Sequence, residues 1–240
     1  MQYKTELHAH TCLVSPCANI PLDQEIERYV EAGYSTVVVA DHYCDYVIDS
    51  ADRSWEETCE HYLSGYHTMR ELAKGKLNVL LGCELRFVPG GMNDYLVFGM
   101  TEEFLRDHPN LHRMTLEEFS ALARERGLLL VQAHPFRNGM NVVDPKYLDG
   151  MEAFNGHRGH HSRNYLANEQ AERYGLIKTS GSDFHHPDSE IAGGILTDEP
   201  ITSMQQLVSV LRSGDYTLIC SGTAALRDGM ANMPAKGLKK

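Results

Sequence analysis

Apolar residues recur along the chain in short continuous runs that alternate with amphipathic stretches. The runs Val37–Ala40, Val79–Leu81, Tyr95–Phe98, Leu128–Val131, Met151–Phe154, Ile177–Thr179 and Leu218–Cys220 have the length and continuity of strands buried on both faces. Between them, helical spacing predicts helices over Leu22–Ala32, Trp55–Ala73, Thr115–Arg126, Arg163–Tyr174 and Ile201–Arg212. A glycine stands at or just beyond the end of each, as a left-handed cap requires. Thr115-Leu-Glu-Glu118 reads as a capping box. This rhythm predicts an α/β fold, a parallel sheet with crossover helices closed or nearly closed into a TIM-like barrel, with an open doubly wound sheet as the alternative. Residues 1–226 are assigned to a single domain and 227–240, poor in apolar residues, to a weakly ordered tail.

Composition acts mainly by exclusion. With 240 residues, 42% hydrophobic and 23% charged, the chain suits one packed domain and not a disordered chain, a collagen-like repeat or a coiled coil. No apolar run approaches the roughly 20 residues that cross a bilayer. The opening residues lack the basic and apolar regions of a secretory signal, and the 6 cysteines form no C-x-x-C pair, so a reduced, cytoplasmic protein is expected. The net charge of −11, with no basic block outside residues 236–240, disfavours a general nucleic-acid coat and favours small substrates. What stands out is histidine: there are 13.

Their positions are informative. His8 and His10 lie two apart in Leu7-His-Ala-His-Thr11, so on a strand both rings project to one side. Asp41 and His42 follow the Val37 run, Glu84 follows the Val79 run, and His134 follows the Leu128 run with Pro135 holding it out of a helix. Asp183 and His185 form a second i,i+2 pair after the Ile177 run. Each pattern alone is as consistent with ordinary surface or core residues. Together, at strand ends that a barrel gathers on one rim, they point to a metal site. His61, His67, His108 and His112 read as solvated structural residues; Glu152, Asn155 and His157 follow a strand and line the same cleft, with His160, His161 and His186 in the loops around it.

The ordered set His-x-His, Asp-His, Gly-x-Glu, His-Pro and Asp-x-His over residues 5–186 resembles the PHP (polymerase and histidinol phosphatase) family. The resemblance implies a distorted (β/α)7 TIM-like barrel carrying two or three divalent ions. It implies that His8, His10, Glu84 and Asp183 hold one ion, that Glu84 bridges to a second also bound by His134, and that His42 and His185 hold a third. The chain departs from the family twice. A histidine usually precedes the fourth apolar run; here Asp94 is the candidate oxygen donor in its place. A histidine or aspartate usually stands five or six residues after His-x-His; here those positions are Ser15 and Pro16, which favours a dinuclear site with a weak or substrate-assisted third. Cys17, one residue on, could donate a thiolate, although free cysteine is more often a small buried hydrophobe.

Mixed histidine and carboxylate donors suit zinc, manganese or iron alike. Two ions about 3.5–4 Å apart lower the pKa of a bridging water and clamp the oxygens of a phosphoryl transfer. No nucleophile elbow, Walker loop or dinucleotide fingerprint offers a competing chemistry. The expected function is a metal-dependent hydrolysis of a small phosphorylated metabolite, a phosphomonoesterase like histidinol phosphatase. Arg137 is the best placed phosphate-binding group, with Arg86 and Arg158 as further candidates beside Asn155 and His157. Asp41 orients His42 or carries a proton. The alternatives are a phosphodiesterase or nuclease, and a metal-binding module without catalysis.

Overall fold

The computed structural model describes residues 2–230. In chain order the elements are β1 (Tyr3–Ala9), α1 (Leu22–Glu31), β2 (Tyr34–Val39), β3 (His42–Tyr43), α2 (Asp45–Ile48), α3 (Trp55–Leu72), β4 (Asn78–Leu81), β5 (Cys83–Arg86), β6 (Asp94–Phe98), α4 (Glu102–Asp107), α5 (Leu116–Arg126), β7 (Leu129–Gln132), β8 (Gly150–Asn155), α6 (Asn164–Tyr174), β9 (Ile177–Gly181), β10 (Ile195–Thr197), α7 (Met204–Ser213), β11 (Thr217–Leu218) and α8 (Gly222–Asp228).

One sheet runs β11-β10-β1-β2-β4 and the other β3-β5-β6-β7-β8-β9. Two joints link them. At the first, β2 leads into β3 and β4 into β5, and the break is spanned by Gly82 N–H donating to Val39 O (2.8 Å) and Glu84 N–H to Asp41 O (3.0 Å). At the second, Ala9 bridges in parallel to Phe184 just beyond β9, with His10 N–H donating to Phe184 O at 3.0 Å. The staves therefore follow in ring order β1, β2/β3, β4/β5, β6, β7, β8, β9 and back to β1, the distorted seven-membered arrangement that the resemblance implied.

The expected all-parallel sheet needs correction at two places. At the first, β10 is antiparallel to both β1 and β11. At the second, β6 is antiparallel to both β5 and β7. A parallel return needs a crossover of about a dozen residues or more, and the segment between β5 and β6, residues 87–93, is too short to supply one. The reversal puts the first residue of β6, Asp94, at the rim where the parallel strands end.

Side chains alternate cleanly between two apolar layers, as strands with both faces covered must. Leu96, Phe98, Leu129, Val131, Val38 and Leu80 pack together in one layer, which α7 joins through Leu207 and Leu211. Their sequence neighbours Tyr95, Val97, Leu130 and Leu81 pack in another, with side chains of α3, α5 and α6. α7 contacts both β6 and β9 and closes the end of the ring away from the histidines. Of the residues 227–240 expected as a tail, Arg227 and Asp228 belong to α8 and Met230 is buried; residues 231–240 lie outside the described residues.

Candidate metal centre

β1 brings two histidines to the rim by an irregularity. Its pairing with β2 slips between Glu6 and Ala9, so Leu7 packs with the inner layer while Ala9 packs outward against Tyr29 and Val37. Such a slip re-aims the side chains beyond it, and His8 and His10 then stand 5.1 Å apart by ring centroids, both buried. Gly181 on β9 makes the approach possible, since a Cβ there would meet the His8 side chain and the Glu152 carboxylate.

Glu84, on β5, is the hub. Its carboxylate lies 3.3 Å from His8 Nε2, 3.4 Å from His10 Nε2, 2.8 Å from His42 Nδ1 and 3.0 Å from His134 Nε2. Asp183 Oδ1 is 3.6 Å from His8 Nε2, 3.5 Å from His10 Nε2 and 3.3 Å from His185 Nδ1. His134 (φ 27°) and Asp183 (φ 52°) both hold left-handed backbone that residues with a Cβ rarely adopt. Such conformations cost about 1–3 kcal/mol each and persist where surrounding bonds fix them. Here His134 N–H donates to Glu152 Oε2 (2.8 Å), and Asn155 Nδ2 donates to Asp183 Oδ2 (3.1 Å).

The outer nitrogens of the first pair are also fixed. His8 Nδ1 donates to Glu152 Oε1 at 2.8 Å. Ser15 Oγ donates to Asp41 Oδ1 (2.7 Å), so its lone pair receives the Nδ1–H of His10 at 3.1 Å. Both rings thereby turn Nε2 toward the carboxylates. His8 Nε2, His10 Nε2 and Glu84 Oε2 are buried and have no hydrogen-bond partner. Donor atoms of His8, Glu84 and His134, of His8, His10 and Asp183, and of His10, His42 and His185 each lie within 4.8 Å of one another. Buried polar atoms left facing one another are what cations would satisfy, so the residues present fit divalent ions.

The electrostatics agree. Burial, with the charges of His185 and His42, holds the His10 imidazole well below its ordinary range, so it is neutral. Burial also opposes charge on His8, but Glu152, Asp183 and Glu84 outweigh it and raise that ring well above the ordinary value. Despite burial, His8 and His42 keep Glu84 ionised, and His8 and His10 do the same for Asp183.

A family model described as PHP domain matches residues 6–218, a span that takes in every group of the cluster and all of the ring but the first three residues of β1. The chain belongs to the PHP domain family. It is accordingly a metal-dependent hydrolase of phosphoric esters. Among solved structures it resembles PsfC from Pseudomonas syringae (TM-score 0.66, 17% identity, covering 97% of each chain). It also resembles a two-domain protein from Bacteroides vulgatus containing a predicted PHP-like metal-dependent phosphoesterase (TM-score 0.63, 15% identity), covering 91% of this chain and spanning 64% of that protein's length. A third is a lesion-specific endonuclease from Pyrococcus furiosus (TM-score 0.59, 14% identity, 88% of this chain and 56% of that one). No curated protein matches the chain. Among the described residues no helix of this PHP domain is long and apolar enough to cross a membrane.

Above the cluster opens a cleft of about 470 Å³ lined by His42, Glu84, Asp183 and His185, with Arg86, Arg137, His157 and His160 around its wall. Several residues expected there have other partners. Asp94 lies 3.9 Å from His134, but both its oxygens are engaged by Arg86, at 2.6 and 2.8 Å. Asn155 is fully buried and bonds Glu152 and Asp183 instead of facing the cleft. Arg158 pairs with Asp188 beside a smaller neighbouring cavity. Asp41 is buried with both oxygens taken by Thr11 and Ser15, so it fixes the 11–15 turn and, through Ser15, His10. α3 comes close over this knot, because at Gly65 a Cβ would meet Thr11 and Asp41. His112, expected to be solvated, is buried and bonded to Asp49 Oδ1 at 2.9 Å.

Two carboxylates were underread from sequence. Glu152 was expected in the cleft wall, yet it is buried behind His8 and His134. Glu6 was not singled out; it accepts from the backbone N–H groups of Leu7, His8 and Ser182 and from Ser182 Oγ, tying β1 to the Asp183 turn. The sequence does carry a signal for it, a charged residue inside a strand just before His-x-His.

Proposed function

We propose that this PHP domain is a phosphomonoesterase acting on small phosphorylated metabolites, histidinol phosphate among the candidates, with two tightly held divalent ions and a third at the cleft mouth. The observation that carries this reading is the cleft itself: a confined space of about 470 Å³ with Arg86 and Arg137 on its wall and Glu84 and Asp183 at its floor. A phosphate monoester, small and carrying two negative charges, suits such a space.

His8, His10, Glu84, His134 and Asp183 would hold the tight ions and His42 and His185 the third. Divalent cations there supply a nucleophilic water near neutral pH and offset the charge of the phosphoryl group. The protein's own part is positional. Arg137, whose N–H is tied to His134 O at 3.0 Å, presents its guanidinium to the phosphoryl oxygens. Arg86 is steadied by Asp94. Burial first, with His160, His185 and Arg137 adding to it, holds His157 down at about 4. A neutral ring can meet a phosphate or leaving-group oxygen without adding charge. Zinc, manganese and iron all suit these donors, and 6 free cysteines are in keeping with a reducing, cytoplasmic setting.

The second reading, hydrolysis of nucleic-acid diesters, draws on the resemblance to the lesion-specific endonuclease. An assay of the metal-supplemented protein on a generic monoester, a generic diester and an abasic duplex separates the readings. Monoester turnover with two or more metals per chain is expected. Turnover of the diester or duplex alone would replace the first reading by the second, and bound metal without any turnover would leave a binding module.

A further inference from the structure

The two arginines on the cleft wall are held differently. Arg86 is gripped by both oxygens of Asp94, at 2.6 and 2.8 Å. The Arg137 guanidinium makes no hydrogen bond or ion pair among the described residues, so its aim depends on where its backbone stands. That backbone is a tight turn, with Arg137 N–H donating to His134 O and Met140 N–H to Arg137 O, both at 3.0 Å. Such bonds fix the turn's own shape but not its place above the floor.

The link to the rest of the molecule comes from the loop between β8 and α6. Arg163 Nη1 donates to Phe136 O (2.6 Å) and Nη2 to Asn138 Oδ1 (2.7 Å), one residue to either side of Arg137. Arg163 is out of character for its position. It stands immediately before α6, where serine, threonine, aspartate or asparagine in extended backbone is the usual choice, yet it is left-handed (φ 48°, ψ 51°) and its side chain makes no cap bond. A residue with a Cβ rarely adopts that conformation and keeps it only where its surroundings impose it. α8 caps the helix instead, Asp228 Oδ2 accepting from Asn164 N–H at 2.9 Å. α8 also pins the loop ahead of Arg163, since Arg227 Nη2 donates to His160 O at 2.6 Å. Asn164 is tied to β8 as well, its Oδ1 accepting from Asn155 N–H (2.9 Å) and its Nδ2 donating to Asn155 O (3.1 Å). The segment around Arg163 is therefore anchored independently of the Arg137 turn.

We propose that Arg163 is a positioning residue: it carries the fixed place of its own segment across to the 136–138 turn and so aims the Arg137 guanidinium at the phosphoryl group. The proposal rests on reading Arg137 as a phosphate ligand. Arg163 does not itself line the cleft, so its effect on phosphate has to pass through the turn. The strained backbone then has a purpose, because the side chain leaves its own helix uncapped in order to reach the neighbouring loop.

The test uses the metal-loaded full chain, with para-nitrophenyl phosphate for turnover and inorganic phosphate for binding by titration calorimetry. Arg163→Ala is expected to raise KM and weaken phosphate binding several-fold, up to the roughly tenfold expected of Arg137→Ala, with kcat and metal content near the wild-type values. In the Arg137→Ala background the same change is expected to add nothing, since the group it aims is gone. Arg163→Gly, which sheds the strain together with the tie, is expected to melt at or above the temperature of Arg163→Ala and to show the same KM, which separates aim from stability. Arg163→Lys, keeping a charged donor, is expected to recover part of the affinity. If Arg163→Ala keeps KM and phosphate affinity while Arg137→Ala loses both, the positioning role is overturned and Arg137 stands as the phosphate ligand. Full additivity of the two changes, or a KM that follows the melting temperature, overturns it in the same way. No effect of Arg137→Ala, or no phosphate binding by the wild type, overturns the phosphate reading and the inference with it.

Discussion

The floor and the mouth of the cleft are built from the same residue types in different ways. On the floor, His8, His10, Glu84, His134 and Asp183 are each at most 2% exposed. His8 and His10 each spend one ring nitrogen on a protein partner, Glu152 or Ser15, and leave the other without a hydrogen-bond partner. At the mouth, the partners come from the cluster itself: His42 Nδ1 turns to Glu84 (2.8 Å) and His185 Nδ1 to the Asp183 carbonyl (3.0 Å). Cys17 is exposed there. His8 and His10 are pre-oriented and dry, whereas His42 and His185, like His134 with its Nε2 on Glu84, must exchange an existing contact for a cation. The difference predicts ions held tightly below and exchangeably above.

The harshest way to break this contrast is Asp183→Ala. It removes the carboxylate shared by His8, His10 and His185 and the reason for the strained turn, so turnover should fall to background and at least one tightly held ion should be lost. His185→Ala should remove only the weakest ion. Metal content by elemental analysis after dialysis, beside turnover, reads both; equal metal loss in the two variants would erase the distinction between floor and mouth.

A gentler change tests whether orientation makes the floor tight. Ser15→Ala deletes no expected ligand, yet it frees His10 Nδ1 and removes one of the two hydrogen bonds that Asp41 Oδ1 accepts. Loss of such an outer partner typically costs about 10–100-fold in metal affinity or activity. The expected result is metal affinity lowered within that range and restored by Ser15→Thr, which keeps the hydroxyl. Unchanged affinity would mean that packing alone sets the ring.

These residues also mark what the sequence could reveal. That His8, His10, Glu84, His134 and Asp183 come together was legible because they sit at strand ends, where periodicity breaks and polar types cluster. Asp94 illustrates the limit: its place at the rim depends on β6 running backwards, and its pairing with Arg86 on a register between two strands, neither of which periodicity encodes. Asp41 reads from sequence only as the neighbour of His42, and Ser15 only as the place of a missing ligand, because a hydrogen bond between positions 26 apart leaves no local pattern. α4 and α8, of 6 and 7 residues, are too short for helical spacing to be read.

Arg137→Ala probes the wall above both halves. A charge-assisted hydrogen bond to a phosphate contributes roughly 1.5 kcal/mol or more, so KM for a monoester should rise about tenfold while metal content stays at the wild-type level. A fall in kcat with KM unchanged would place Arg137 at the reacting atoms instead of at ground-state binding.

The smallest effect sharpens the contrast from beneath, since a dry floor has a cost that the mouth does not share. Glu25 on α1 is fully buried and neither of its oxygens has a partner. Burial first, then the charges of Asp41 and Glu6, push its carboxyl well above the ordinary value, with only Arg28 opposing. Burial also lifts Glu6 to about 7 and Asp41 to about 6, against the hydrogen bonds they accept. A carboxyl whose folded pKa exceeds its unfolded one keeps its proton longer in the native state. Native stability therefore declines as pH rises from the unfolded value near 4.5 through the folded value, by up to about 1.4 kcal/mol per pH unit for each such proton. Glu25→Gln removes one of these protons from the balance. The metal-free variant should match or fall slightly below the wild type at about pH 5 and exceed it at about pH 8, with a flatter slope between and the remainder left to Glu6 and Asp41. Denaturant unfolding at several pH values measures this. Parallel stability profiles would mean that Glu25 is already ionised in the folded protein and finds water or a cation that its buried position does not suggest.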